Sequence, residues 1–221
     1  MKKRIACIHT VYSVISSFTE LLLEEFGGEV LIHTLYDDFL ATDPAETGKF
    51  SGINHARLRL DMQAQALTGA DLIAVSCSTL SPSVRALRGE FNIPVVAIDD
   101  AMVREAVAAG GRIGLLATAK STVRPSFSAL EAAAAAAGRE IDIQVVCDEE
   151  AICALKAGDR ETHDALVLEM AEQLENRDVI VLAQASMAHM EGPVAERTGI
   201  PALSSPKRCV AHIRSILEAM K

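Results

Sequence analysis

The chain has 221 residues, half of them hydrophobic, and carries a net charge of −9. That is enough apolar material for one large domain or two small ones. The acidic balance excludes a basic nucleic-acid footprint, because "KKR" at residues 2–4 is too short to supply one. No segment has the length and apolarity of a membrane span. The N-terminus superficially resembles a signal peptide, but His9 interrupts its apolar stretch and no small-residue cleavage site precedes "ELLLEEF". The five cysteines form no CxxC pair, and the six histidines show no HxxxH or HxH spacing. A reducing, cytoplasmic setting without a metal site is therefore expected.

In chain order, residues 4–9 form the first expected strand, and "SSFTELLLEEF" follows as an amphipathic helix. Strands are expected next at 30–35, 72–76 and 95–98, with the helix "HARLRLDMQAQAL" between the first two of these. The pattern then resumes with strands at 112–117, 141–146 and 179–183, separated by "PSFSALEAAAAAAG" and "DRETHDALVLEMAEQL". The alanine run at 132–137 is a good helix former, ended by Gly138. Strands alternating with helices indicate an α/β fold built on mostly parallel sheet. "AGGRIGLLAT" places its paired glycines, Gly110 and Gly111, before a strand, where they fit a helix end and turn and not a dinucleotide loop.

The chain is also written twice. "RIACIHTVYS" (4–13) lies over "RIGLLATAKS" (112–121) at an offset of 108, and "GEVLIHTLYDD" (28–38) over "REIDIQVVCDE" (139–149) at 111. "ADLIAVSCST" (70–79) lies over "RDVIVLAQAS" (177–186), and "NIPVVAID" (92–99) over "GIPALSSP" (199–206), both at 107. Two pseudo-symmetric α/β halves are expected: residues 1–100, with 207–221 packing back on them, and residues 101–206. A ligand cleft is expected between them, because ligands of open parallel sheets bind beyond the carboxyl ends of the strands.

At those ends stand Thr10, Tyr12 and Ser13, then Ser76, Cys77, Ser78 and Thr79. In the second half the corresponding residues are Thr118, Lys120, Ser121 and Thr122, then Gln184, Ala185 and Ser186. Small hydroxyl residues at helix starts, with free backbone N–H groups, suit a small carboxylate better than a nucleotide. The same residues also suit plain helix capping. Cys77 itself has two readings, a buried structural thiol or a reactive one.

Together, "VSCST", "RIGLLATAKSTV" and the order of the repeated segments resemble the aspartate/glutamate/hydantoin racemase superfamily, which includes maleate isomerase and arylmalonate decarboxylase. The resemblance runs from Arg4 to about Pro206. It implies two α/β halves, cofactor-independent chemistry next to a carboxylate, and Cys77 as the catalytic thiol. Thr10, Ser13, Ser76, Ser78, Thr79, Thr118, Ser121, Thr122, Gln184 and Ser186 would bind the substrate. A homodimer or larger homo-oligomer is also implied, with no nucleic-acid or membrane partner. The chain departs from the pattern where the family has its second cysteine, for "VLAQASMA" puts Gln184 there. Glutamine cannot exchange a proton near neutral pH, so one-thiol decarboxylation or cis–trans isomerisation competes with racemisation, and a catalytically inactive carboxylate-binding protein is the remaining alternative.

The other titratable candidates are weaker. Asp99 and Asp100 could do acid–base work, but a helix cap is the plainer expectation. Tyr36, Asp37 and Asp38, echoed by Asp148 and Glu149, are expected to be mainly structural. His189 is a weak candidate for a second acid or base, against a plain surface histidine.

Overall fold

The computed structural model describes residues 2–220. They form two compact units: one runs to Asp100 and takes in the chain again from Pro206, and the other is Ala101–Ser205. Ten α-helices and eight strands are distributed over them among the described residues.

The first unit is built from β1 (Lys3–His9), α1 (Tyr12–Phe26), β2 (Val30–Tyr36), α2 (Phe39–Thr47), α3 (Gly52–Ala66), β3 (Leu72–Val75), α4 (Ser81–Leu87) and β4 (Val95–Ala97). All strands are parallel, in the order β2-β1-β3-β4. β3 is buried along its whole length, which is why it reads as an unbroken apolar run. α1 buries Phe18, Leu22 and Phe26, four residues apart, and ends at Gly27 in the left-handed conformation. α3 sets Leu58 and Met62 against Ala6, Ile8, Ile73 and Val75 of the sheet. Each such fully enclosed side chain contributes about 1.5–3 kcal/mol.

The second unit repeats the plan. α5 (Asp100–Ala109) leads into β5 (Arg112–Ala117), α6 (Lys120–Ala137), β6 (Asp142–Cys147), α7 (Glu149–Lys156), α8 (Arg160–Glu172), β7 (Val179–Leu182), α9 (Glu191–Thr198) and β8 (Ala202–Leu203). α10 (Ser205–Ala219) returns to the first unit. The sheet order is β6-β5-β7-β8, again all parallel. The alanine run lies inside α6, which ends at Gly138.

The registers coincide as well as the orders. Ile5 pairs with Ile32 and Leu72 in the first sheet, and Ile113 pairs with Ile143 and Val179 in the second. Ile73 pairs with Val95, and Ile180 with Ala202. Residues 107 to 111 apart in sequence therefore hold equivalent places in the two sheets. Even the strand starts are tied alike: Arg4 N–H donates to the Asp71 carboxylate, and Arg112 N–H to that of Asp178.

The sequence pattern overlooks β8, which is two residues long and is defined by its pairing with β7, not by its composition. It also overlooks short 3-10 turns at Ser78–Leu80 and Ala185–Met190, which carry the chain out of β3 and β7. Among the described residues no helix is long and apolar enough to cross a membrane.

Candidate active site

In the first unit, β1 and β3 end side by side. Ser76 N–H donates to the Ile8 carbonyl at 3.0 Å, which places Ser76 next to the buried His9. The Ser76 hydroxyl donates to that same carbonyl at 3.3 Å and lies 2.7 Å from His9 Nδ1. The Ser76 hydroxyl thus stands between the Ile8 carbonyl and the neutral His9 ring. Burial pushes the His9 pKa down to about 4, which keeps the ring neutral at pH 7. Its Nε2 and the Thr10 hydroxyl are both buried without a hydrogen-bond partner among the described residues.

Cys77 comes next. It is extended (φ −119°, ψ 116°) and heads the 3-10 turn Ser78–Leu80, which runs directly into α4. Its carbonyl accepts from Leu80 N–H at 3.1 Å. The residue packs against the sheet core but stays half-buried. The contrast with the other thiols is useful. Cys7 is sealed in β1, and burial pushes its pKa up to about 12. Cys209 is sealed in α10 and is likewise raised by burial. Cys147 closes β6 with its pKa raised by burial, and Cys153 is exposed on α7.

In the second unit, Gln184 heads the turn after β7 as Cys77 heads the turn after β3. Its backbone is extended (φ −117°, ψ 143°), and its carbonyl accepts from Met187 N–H at 3.1 Å. The side chain is anchored at both ends. Oε1 accepts from Thr118 N–H at 3.2 Å, and Nε2 donates to the Thr118 hydroxyl at 3.1 Å. One of the two amide protons is thus engaged within the protein. Thr118 is buried at the end of β5, and the Thr122 hydroxyl donates back to the Ala119 carbonyl at 2.8 Å. Ser13 and Ser121 are exposed in the first turns of α1 and α6; Ser78, Thr79 and Ser186 are half-buried in the two 3-10 turns.

The hydroxyls do not cap these helices as plain capping would have it. The residues in the cap positions are Val11, Cys77, Ala119 and Gln184, and none of their side chains bonds to the turn that follows. Elsewhere Ser51, Asp148 and Asp159 do cap, at α3, α7 and α8. At α6 the first N–H, that of Lys120, is taken by the Glu149 carboxylate at 3.3 Å, whereas the turns after Val11, Cys77 and Gln184 carry no cap side chain, an arrangement that suits an anion.

The acidic candidates have structural duties. Asp99 and Asp100 both bind Arg85, at 2.6 and 2.9 Å, and Asp100 also binds Arg88 and the Ala97 N–H. Burial raises the pKa of Asp99 despite that arginine. Asp37 is buried, pairs with Arg57 and accepts from Phe39 N–H. Tyr12 and Tyr36 meet edge to face at 6.1 Å.

His189 does not stand alone. Its Nε2 lies 2.7 Å from Asp164 Oδ1, and His163 Nδ1 lies 2.7 Å from the same oxygen. Burial opposes ionisation of Asp164, but the hydrogen bonds from His163 and His189 hold its pKa below the ordinary carboxylate value. No sequence spacing announces this group, because His189 lies 25 positions after Asp164, with β7 between them.

Comparison with known proteins matches this architecture to one family. The Asp/Glu/hydantoin racemase family model matches residues 17–213, and the chain belongs to that family. An uncharacterized protein of Schizosaccharomyces pombe is 28% identical over 178 residues, covering 73% of this chain and 71% of its own. Among solved structures, glutamate racemase RacE1 from Bacillus anthracis superposes with a TM-score of 0.75 at 16% identity, covering all of this chain and 84% of the other. Allantoin racemase from Klebsiella pneumoniae gives 0.69 at 17% identity, over 99% and 89% of the two chains. An aspartate racemase homologue from Pyrococcus horikoshii gives 0.68 at 19%, over 99% and 100%.

Proposed function

We propose that the protein is a cofactor-independent enzyme of racemase type, acting next to the carboxylate of a small amino-acid-like or dicarboxylate substrate, with Cys77 as its reactive thiol. The observation that carries this reading is the setting of Cys77: a half-buried thiol just beyond a buried central strand, heading a turn to which its own side chain makes no cap hydrogen bond. Backbone N–H groups of such a turn bind a carboxylate and stabilise the enolate-like charge that develops when the α-proton leaves. Ser76, Ser78, Thr79 and Thr10 line the same strand ends; Thr118, Ser121, Thr122 and Ser186 line the equivalent ends of the second unit, and Ser13 opens α1 as Ser121 opens α6.

The anchored Gln184 favours a second reading inside the same chemistry. A two-thiol racemase removes the α-proton with one cysteine and returns a proton to the other face with the second. Here the position equivalent to Cys77 holds an amide bonded to Thr118, so Cys77 is the thiol that does the work. In decarboxylation the carboxylate leaves as carbon dioxide, its bonding pair forms the enolate, and the Cys77 S–H protonates the carbon. In cis–trans isomerisation the thiolate adds to the double bond, the resulting single bond rotates, and the thiolate leaves again.

The test is incubation of the wild type and Cys77→Ala in deuterium oxide with aspartate, glutamate, hydantoins, maleate and substituted malonates, followed by NMR and chiral analysis. Cys77-dependent α-deuteration, carbon dioxide release or double-bond isomerisation supports the reading and chooses among its branches. Turnover that survives in Cys77→Ala overturns it, and saturable carboxylate binding without any turnover shifts the assignment to a binding protein.

A further inference from the structure

We propose that His163, Asp164 and His189 form a site for an exchangeable divalent transition-metal ion of the zinc type, which no part of the racemase reading requires. The three ligand atoms, His163 Nδ1, Asp164 Oδ1 and His189 Nε2, all lie within 4.8 Å of one another. Two imidazole nitrogens converge on one carboxylate oxygen at 2.7 Å each. Zinc takes imidazole nitrogen and carboxylate oxygen at about 2.0–2.2 Å in a tetrahedron, which sets neighbouring ligand atoms about 3.3 Å apart. The cluster therefore has to open by a little over half an ångström. His189, on a 3-10 turn and with 29% of its side chain exposed, has the freedom to give that movement.

The three ligands are not equivalent. The His163 side chain is fully enclosed on α8, so it supplies a fixed nitrogen with no choice of partner. Asp164, the next residue of the helix, is 30% exposed and supplies the charge. His189 comes from another element and closes the set. Three protein ligands leave the fourth vertex to water, on the side where Asp164 and His189 are open to solvent. Two imidazoles and one carboxylate favour zinc, cobalt, nickel or copper over magnesium and calcium, which prefer all-oxygen cages.

Two features place the site on the exchangeable side. The second nitrogen of His163 is buried without a partner among the described residues, and such outer partners ordinarily strengthen a histidine ligand 10- to 100-fold in affinity. Arg160 also sits 4.0 Å from the other Asp164 oxygen, where its charge opposes a cation. The consequence of binding is local. The metal fastens α8 to the 3-10 turn Ala185–Met190 that Gln184 heads, and so stiffens the segment carrying Gln184 and Ser186.

The experiment uses untagged full-length protein stripped with a chelator, then titrated with zinc by calorimetry and with cobalt(II) by visible absorption. One zinc per chain, a tetrahedral cobalt spectrum, and at least about a tenfold loss of affinity in both His189→Gln and Asp164→Asn are expected. Thermal unfolding of the metal-free variants checks that they are folded, and the exposed His189→Gln decides the case if Asp164→Asn is not. Absence of stoichiometric binding shows a hydrogen-bonded His–Asp–His cluster only and overturns the proposal. Zinc binding of equal strength in wild type and His189→Gln overturns it too, by locating the ion elsewhere.

Discussion

Replacing Gly110 by alanine tests the claim that the start of β5 is held by a tightly fitted carboxylate. A β-carbon built at Gly110 would lie 2.5 Å from Oδ2 and 2.6 Å from Cγ of Asp178, and closer still to its Cβ. Asp178 cannot simply withdraw. Its carboxylate accepts from Arg112 N–H at 2.9 Å and from the Arg112 guanidinium at 2.6 and 3.1 Å, while its own N–H donates to the Arg112 carbonyl at 2.7 Å. Overpacking of this kind costs about 1–3 kcal/mol. Displacing the charge-assisted staple to Arg112 adds to that cost. Alanine returns about 0.4–1 kcal/mol by restricting the unfolded chain. The net is a destabilisation of about 1–3 kcal/mol, or about 2–10 °C in Tm for a chain of this length. Gly192→Ala is the matched control, because its β-carbon meets nothing within 4 Å at the start of α9 and should leave Tm unchanged or slightly raised. Thermal and urea unfolding of both variants are the assays. A Gly110→Ala protein within 2 °C of the control would refute the staple.

Three further outcomes are expected. Cys77→Ala should lower turnover of whichever panel substrate is processed by at least about 10³-fold while leaving Tm within a few degrees, measured by NMR and thermal unfolding; an active variant removes Cys77 from the chemistry. Arg85→Ala strands the buried carboxylate of Asp99, while Asp100 keeps Arg88, and should cost about 3–5 kcal/mol in urea unfolding, whereas a loss under 1 kcal/mol would mean that Asp99 is neutralised without it. Burial, the hydrogen bond that protonated Asp61 donates to Asp37, and the Asp37 charge raise the Asp61 pKa to about 7. A raised carboxyl pKa contributes stability that is complete below about pH 4 and is lost as the pH rises through 7. Asp61→Asn should therefore flatten the decline of stability between about pH 4 and 7, by about 1–2 kcal/mol after solvent screening, and a parallel decline in the variant would exclude Asp61 as its source.

The strands were legible because both faces of each central strand are covered, so β1, β3, β5 and β7 read as apolar runs. Their common register was legible through the offsets, since a one-residue slip would turn every side chain to the other face. Other features had no local signature. β8 exists only by pairing with β7, and the Gln184–Thr118 bonds span 66 residues. The hydroxyls around the strand ends suggested caps, yet the cap positions themselves fall on Val11 and Ala119, and propensity alone does not reveal a vacancy of that kind. The His163–Asp164–His189 group escaped because metal spacing rules look within one helix or loop, and this group bridges two elements.

The exchange of cysteine for glutamine at position 184 bears directly on stereochemistry. Both residues are extended and each carbonyl accepts from the N–H three residues on, so Cys77 and Gln184 head their turns in the same way and differ in the side chain they present. A residue filling the space of a lost thiol would not need bonds to both the N–H and the hydroxyl of Thr118; Gln184 has them, so it serves as a fixed amide. With one thiol as both base and acid, a proton removed from one face of the α-carbon returns to that face. On that basis, α-deuterium exchange catalysed by the wild type should outrun inversion by at least about tenfold, the discrimination that one positioned acid gives over unassisted protonation. Chiral chromatography and mass spectrometry on the same time points measure the two rates. Equal rates would place an effective acid on the second face and refute the one-thiol mechanism; inversion that survives in a Gln184→Ala variant would further show that this acid is not the amide.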